Sequence, residues 1–280
     1  MKILRSVDEV RAQSSAWRSR NLKIALVPTM GYLHAGHLSL VQQAREHADR
    51  VIVSIFVNPT QFGPNEDLDR YPRDFARDEQ LCSQAGVDAV FYPEPAVMYA
   101  PDHSTWVLED SLSQTLCGAS RPVHFRGVTT VVLKLFNICG CQLAVFGRKD
   151  AQQALIIQRM VRDLNVPVEL ILAPLVREAD GLALSSRNKF LSPEERQQAL
   201  NIYKGIQQAK ETFRQGCRNA AELIAPLRQR ITDAGGKVDY VEVMAQATLR
   251  PLTAIDQPAL LAVAAFFGKT RLIDNLFLEV

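Results

Sequence analysis

The first two thirds of the chain alternate short, β-branched apolar runs with stretches spaced for helices, and no other feature restricts the fold so tightly. Residues 23–30 (KIALVPTM) and 50–57 (RVIVSIFV) read as strands. Between them, HAGHLSLVQQAREHADR sets Leu38, Val41 and Ala44 at helical spacing among polar residues. A strand, a helix and a second strand in that order imply parallel strands joined by a right-handed crossover. The rhythm then repeats. YPRDFARDEQLCSQAG predicts a helix ending at Gly86, VDAVFYP a strand, HFRGVTTVVLKLFNICG a helix and QLAVFG a buried strand. DAQQALIIQRMVRDLN follows as an amphipathic helix and VPVELILAP as a strand. Several such units predict an α/β fold, an open parallel sheet with helices on both faces.

After Leu175 the pattern changes. SPEERQQALNIYKGIQQAKETFRQG predicts a long helix, with Ser192 as cap, Pro193 at its first position and Glu195 as capping-box partner. NAAELIAPLRQRITDAGG predicts a second helix, interrupted or bent at Pro226 and closed by Gly235; KVDYVEVMAQ and PALLAVAAFFG then read as strands. Helices followed by strands suggest a smaller α+β domain. The charged break READG puts the boundary near 176–181, giving domains of residues 1–176 and 177–280.

Charge narrows the partners. With 32 Lys and Arg against 30 Asp and Glu, the net charge of +2 lacks the basic excess of a general nucleic-acid binder. Small anions remain suitable ligands. The five cysteines (82, 117, 139, 141 and 217) are odd in number, and no pair has the two-residue gap of a zinc or redox motif. They read as reduced structural thiols of a cytoplasmic protein. The N-terminus MKILRSVDEVRAQ has no apolar core of signal-peptide length, and no uncharged stretch reaches the ~20 residues of a membrane span.

The candidate chemistry starts where the first strand ends, in VPTMGYLHAGH. Ligands of open α/β sheets bind beyond the carboxyl ends of the strands. Gly31 and Gly36 allow a sharp turn and a close approach of backbone to ligand. A helix N-terminus there offers unpaired N–H groups suited to phosphate. His34 and His37, three apart, project to one side if both lie in its first turn. Two imidazoles so placed could donate to a phosphorus centre as charge builds on its oxygens. No nearby Cys, His or Asp completes a zinc set, so no metal ligand is assigned.

His-x-Gly-His after a first strand resembles the signature of the nucleotidyltransferase superfamily. Further segments narrow the likeness: VSIFVNPTQF (53–62), GASRPVHFRGVTTVV (118–132), FGRKDAQQ (146–153), DGLALSSRN (180–188) and the closing AAFFGKTRLIDN. In this order, from one end of the chain to the other, they resemble the pantoate–β-alanine ligase family. The resemblance implies a Rossmann-like, doubly wound sheet of nucleotidyltransferase type. It also implies two chemical steps: the carboxylate of (R)-pantoate attacks the α-phosphate of ATP, giving pantoyl adenylate and pyrophosphate. The amine of β-alanine then attacks the acyl carbon, giving pantothenate and AMP.

The same resemblance assigns roles. His34 and His37 match the paired histidines, with His37 the proton donor, inside a first ATP segment of Met30, Gly31, Tyr32, Leu33, His34, Ala35, Gly36 and His37. Gln61 matches a glutamine binding both pantoate and β-alanine, and Gln153 a second pantoate glutamine. An amide both donates and accepts, so it serves hydroxyl and carboxylate together. Asn58 is a candidate third pantoate contact. Gly147, Arg148, Lys149 and Asp150 match the second ATP segment, with Lys149 catalytic and able to reach the leaving pyrophosphate. Asp150 either caps the next helix or touches the nucleotide. Arg148 stands where the family commonly has Glu or Gln, which leaves that side chain without an assigned role. Val176 matches a backbone contact to adenine, and Leu184, Ser185, Ser186 and Arg187 the third ATP segment, on a domain expected to close over the nucleotide. ATP enters as substrate with Mg²⁺ on its phosphates, and the family resemblance suggests a homodimer. Arg121, His124 and Arg126 form a basic cluster suited to steering anions or holding an interface. The charge-rich NEDLDRYPRDFARDE reads as mostly a solvated face; an Asp there could help bind Mg²⁺, but ATP phosphates supply much of that coordination, so none is named as a ligand.

Two rivals accompany the ligase. One is a nucleotidyltransferase adenylylating another small phosphorylated substrate, which explains the histidines but not Gln61 and Gln153. The other is a nucleotide sensor without catalysis, which gives no reason for both histidines and Lys149.

Overall fold

The computed structural model describes residues 1–64, 66 and 68–280. The chain divides into two compact units: Met1–Arg148 with Gln152–Pro174, and Lys149–Ala151 with Leu175–Val280.

In the first unit a short strand β1 (Lys2–Leu4) and helix α1 (Val7–Arg18) precede the predicted alternation. The series continues as β2 (Ile24–Thr29), α2 (Ala35–His47), β3 (Arg50–Ile55), α3 (Phe75–Gln84) and β4 (Ala89–Phe91). The four-residue helices α4 (Pro95–Met98) and α5 (Cys117–Ser120) follow, then α6 (His124–Cys139), β5 (Leu143–Gly147), α7 (Ala151–Asp163) and β6 (Glu169–Ala173). The strands pair in parallel in the order β1-β4-β3-β2-β5-β6. From β2 the chain builds outward through β3 and β4, then returns to β5 on the other side. The order therefore reverses between β2 and β5, and the crevice at their carboxyl ends is where such sheets take ligands.

Burial explains the apolar runs. Ala25, Val27, Val51, Val53 and Ile55 share one cluster with Leu40, Val41 and Ala44 of α2. Their alternates Ile24, Leu26 and Ile52 are equally buried, so both sheet faces are covered.

The second unit holds α8 (Pro193–Arg214), α9 (Ala220–Asp233) and an antiparallel sheet of β7 (Lys237–Ala245), β8 (Ala259–Phe267) and β9 (Thr270–Leu278). Ser192 and Glu195 form the predicted capping box of α8. Helix α9 runs through Pro226 as one assigned element, so the predicted interruption is absent. Ile202, Ile206, Leu223 and Leu227 pack with Val241, Val243, Leu261 and Phe267. The charged break proves to be an ordered network. Arg177 forms a two-pronged pair with Asp274 at 2.6 and 2.9 Å, and Arg196 bridges Glu178 and Asp180 at 2.6 Å each.

All five cysteines are free thiols. Among the described residues no helix is long and apolar enough to cross a membrane.

Candidate active site

The site grows from the loops that leave β2, β3 and β5. At the end of β2 the Thr29 hydroxyl donates to Ser54 O (2.7 Å) and accepts from Gly31 N (3.1 Å), tying the turn to the neighbouring strand. Gly31 (φ +81°) and Tyr32 (φ +52°) then take the left-handed conformation in succession. A Cβ on Gly31 would lie 2.9 Å from Ile55 Cγ2 and 3.0 Å from Asp78 Oδ2, so the position demands glycine twice over.

His34 is the N-cap of α2, with extended backbone. Its Nδ1 accepts from Gly36 N at 3.1 Å, and His37 Nδ1 accepts from His34 N at 3.3 Å. The two rings face each other with centroids 4.0 Å apart. A ring nitrogen that accepts carries no proton, so each neutral imidazole holds its proton on Nε2. The turn thus orients two side-chain N–H donors at the start of a helix, where a phosphate finds complementary charge.

Beyond β3 the chain reaches Gln61, which is only 7% exposed. Its Oε1 accepts from Asn58 Nδ2 at 3.1 Å, while its Nε2 donates to the Met30 thioether at 3.1 Å. Sulfur is a weak acceptor, so this buried amide keeps most of its donor capacity for something better. The contact also brings a predicted pantoate residue against the first ATP segment. Asn58, 1% exposed, has its groups engaged inside the protein: Nδ2 donates to Gln61 Oε1 and Gly127 O, and Oδ1 accepts from Thr60 and Tyr99.

The basic cluster takes a specific place. Arg121 Nη2 (3.3 Å) and His124 Nδ1 (3.0 Å) both donate to Gln61 O, and Arg121 is paired with Glu66. Burial pulls the Glu66 carboxyl upward, but Arg121, with help from His124 and Gly63 N, holds it below its ordinary value. Gly127 completes the support, since a Cβ there would sit 2.5 Å from Thr60 O and 2.6 Å from Gln61 N. Arg126 departs from the cluster and lies over the Trp106 ring, 4.6 Å from its centroid.

Asp78 is the buried exception in the mostly solvated charged stretch. It is 1% exposed and accepts from Tyr32 N (2.6 Å) and Leu33 N (2.7 Å). Burial raises its carboxyl above the ordinary value, against the pull of those two amides and of Arg77. Asn65 and Asp67 of the same charged stretch lie outside the described residues.

Gly147 ends β5 beside α2, where an added Cβ would lie 3.9 Å from Leu40 Cδ2. Arg148, Lys149 and Asp150 form one turn of 3₁₀ helix, with Lys149 half-buried and its neighbours exposed. Gln153 is half-buried on α7. Its neighbour Gln152 is structural, donating to Leu112 O and Thr115 O and accepting from Cys117 N. In the second unit Leu184 N donates to Val176 O at 3.0 Å, which ties the adenine candidate Val176 to the start of the third ATP segment. Ser185 caps the turn Ser186–Phe190 by accepting from Arg187 N. Asn275 Nδ2 donates to Lys149 O at 2.9 Å.

Asp78, Tyr99 and Gly127 are residues that sequence reasoning missed. Gly127 lay inside a motif already singled out. Tyr99 and Asp78 carried no local signal, because only the fold brings Tyr99 to Asn58 and Asp78 to the turn after β2.

Comparison with known proteins supplies the context for this geometry. A family model described as pantoate-beta-alanine ligase matches residues 2–277. The chain is 53% identical over 279 residues to the pantothenate synthetase of Thermotoga petrophila, covering 99% of this chain and all of the relative. It is 54% identical over 281 residues to that of Moorella thermoacetica, covering all of this chain and 99% of the relative. A crystal structure of pantothenate synthetase from Thermus thermophilus superposes with a TM-score of 0.92 at 44% identity, covering 99% of each chain. Pantoate-beta-alanine ligase from Francisella tularensis, solved as a complex with a form of ATP and β-alanine, gives 0.81 at 34% identity over 99% of this chain and 97% of that one.

Proposed function

The chain belongs to the pantoate–β-alanine ligase family, and from that premise we propose how its residues share the work. The protein joins pantoate to β-alanine with ATP. The rival adenylyl transfer to another substrate accounts for the histidine turn alone, whereas the family match spans residues 2–277.

In our proposal the α-phosphate of ATP lies against the Nε2–H groups of His34 and His37. A pantoate carboxylate oxygen attacks that phosphorus, the bond to the β-phosphate bridging oxygen breaks, and pyrophosphate leaves. Charge grows on the phosphoryl oxygens in the transition state, and donors fixed beforehand stabilise it without reorganising. Lys149 meets the departing pyrophosphate. Gln61 and Gln153 hold pantoate, with Asn58 acting through Gln61, whose amide it fixes. The amine of β-alanine, also held at Gln61, then attacks the acyl carbon. The carbon–oxygen bond to AMP breaks and the amine loses a proton. The observation that carries this reading is the Gln61 amide at 3.1 Å from Met30, which sets an acyl-binding group beside the nucleotide segment.

Met30–His37, Gly147–Asp150, Val176 and Leu184–Arg187 are the proposed nucleotide contacts, and 1–176 and 177–280 the proposed functional domains. Mg²⁺ arrives on the triphosphate. The phosphate oxygens supply much of its coordination. A cytoplasmic homodimer completes the proposal, and sedimentation of the purified protein measures its assembly.

Isotope transfer tests the route. With pantoate labelled by ¹⁸O in its carboxylate, one labelled oxygen is expected in AMP, because the acyl carbon–oxygen bond breaks in the second step. AMP free of label would remove the adenylate.

A further inference from the structure

We infer that Asp78 is the positioning residue of the histidine turn, holding His34 and His37 in their reactive arrangement without touching substrate. The inference rests on the reading of those histidines given above. Three observations converge on it. The two consecutive left-handed residues, Gly31 and Tyr32, immediately precede Leu33 and the histidine cap. For tyrosine that backbone state is intrinsically unfavourable and persists only where its surroundings impose it. The buried Asp78 carboxylate takes the N–H groups of Tyr32 and Leu33 at 2.6 and 2.7 Å, one on each oxygen. The adjacent Arg77 donates to Leu33 O at 2.9 Å and lies over the Tyr32 ring at 5.3 Å. Helix α3 therefore grips both polar groups of Leu33, the residue before the N-cap.

The chemistry requires a carboxylate. Two amide N–H groups point at two oxygens, and an ionised acid offers a full acceptor at both. An asparagine of the same shape satisfies one donor and turns its own NH₂ against the other. The turn would then relax, carrying the histidine rings with it. A misplacement of about 1 Å at a reacting centre can lower the rate on the order of a hundredfold.

The test is Asp78→Asn in the full chain, read by pantoate-dependent exchange of pyrophosphate into ATP. We expect kcat to fall on the order of a hundredfold with pantoate KM within about twofold. Amide exchange at Tyr32 and Leu33 should accelerate. In the His34→Ala/His37→Ala background, Asp78→Asn should cause little further loss, because its effect passes through rings already removed. A variant with normal kcat, or one whose loss persists in full without the histidines, overturns the inference. Should Asp78→Asn fail to fold, Arg77→Met releases the same turn from an exposed position and is expected to lower kcat by a smaller factor. Unchanged kcat in that variant also overturns it. If His37→Ala alone turns over normally, the histidine reading fails. If His37→Ala is crippled and Asp78→Asn is not, only the present inference fails.

Discussion

Gln61 concentrates the chemistry of one residue: a buried amide whose acceptor is occupied and whose donor, among the described residues, meets a thioether. Burial of a strong donor against a weak acceptor costs stability, and a substrate oxygen recovers that cost on binding. Gln61→Ala should therefore raise pantoate KM about tenfold or more while ATP affinity stays near normal. Isothermal titration with each substrate separates the two, and unchanged pantoate affinity would mean the substrate lies elsewhere. This residue and the histidines were legible in the sequence through their motifs. Asp78 was not. Its letters sit in a run rich in Arg, Asp and Glu, and only the approach of α3 to the turn after β2 makes it a buried acceptor.

Elements convert such residues into a platform. Helix α6 begins with His124 and brings Gly127 under the Thr60–Gln61 backbone, while Arg121, just before it, grips the Gln61 carbonyl from the side. Gly127→Ala drives a methyl group into that backbone, so it should cost about 1–3 kcal/mol of stability. It should also weaken pantoate binding, as denaturant unfolding and KM measured together will report. The Glu66–Arg121 pair adds a pH dependence. Arg121 holds the Glu66 carboxyl below its ordinary value of 4.5, so its stabilisation is complete above about that pH and is lost as pH falls further. Glu66→Gln should therefore flatten the acid side of the melting-temperature profile, and a profile unchanged below pH about 4.5 would contradict the pairing. Other elements show what local pattern can and cannot reveal. Helix α1 does carry a local signal, the capping box of Ser6 and Glu9. Strand β1 has only three residues, and its identity comes from distant pairing with β4. Strand β9 (TRLIDNLFL) runs polar and apolar residues in doublets, without the period-two pattern of a half-buried strand, and its place follows from the register with β8.

For the molecule as a whole, alternation carried most of the information. Parallel strands covered on both faces must be nearly continuous apolar runs, and such runs survive in the sequence as a visible rhythm. The switch between β2 and β5 follows from strand order, which no local pattern encodes. Parallel pairing brings the loops after β2, β3 and β5 to one end of the sheet, and the switch opens the crevice between them. Thiol reactivity is a property of the same packing. Burial pushes the Cys82 and Cys141 thiols up to about 12 and Cys139 well above its ordinary value, whereas Cys117 and Cys217 are partly exposed. A thiol reagent should label only Cys117 and Cys217 of the native protein, and all five after denaturation; labelling of Cys139 in the native state would refute the packing described.

The central claim is that paired imidazoles at the start of α2 stabilise charge on the innermost phosphate while a pantoate carboxylate attacks it. Pyrophosphate exchange into ATP, compared between the wild-type chain and His37→Ala, tests that claim most directly. The account predicts exchange that requires pantoate, proceeds without β-alanine, and falls on the order of a hundredfold to a thousandfold in the variant at nearly unchanged ATP affinity. Exchange without pantoate, or exchange at the wild-type rate in His37→Ala, would contradict it.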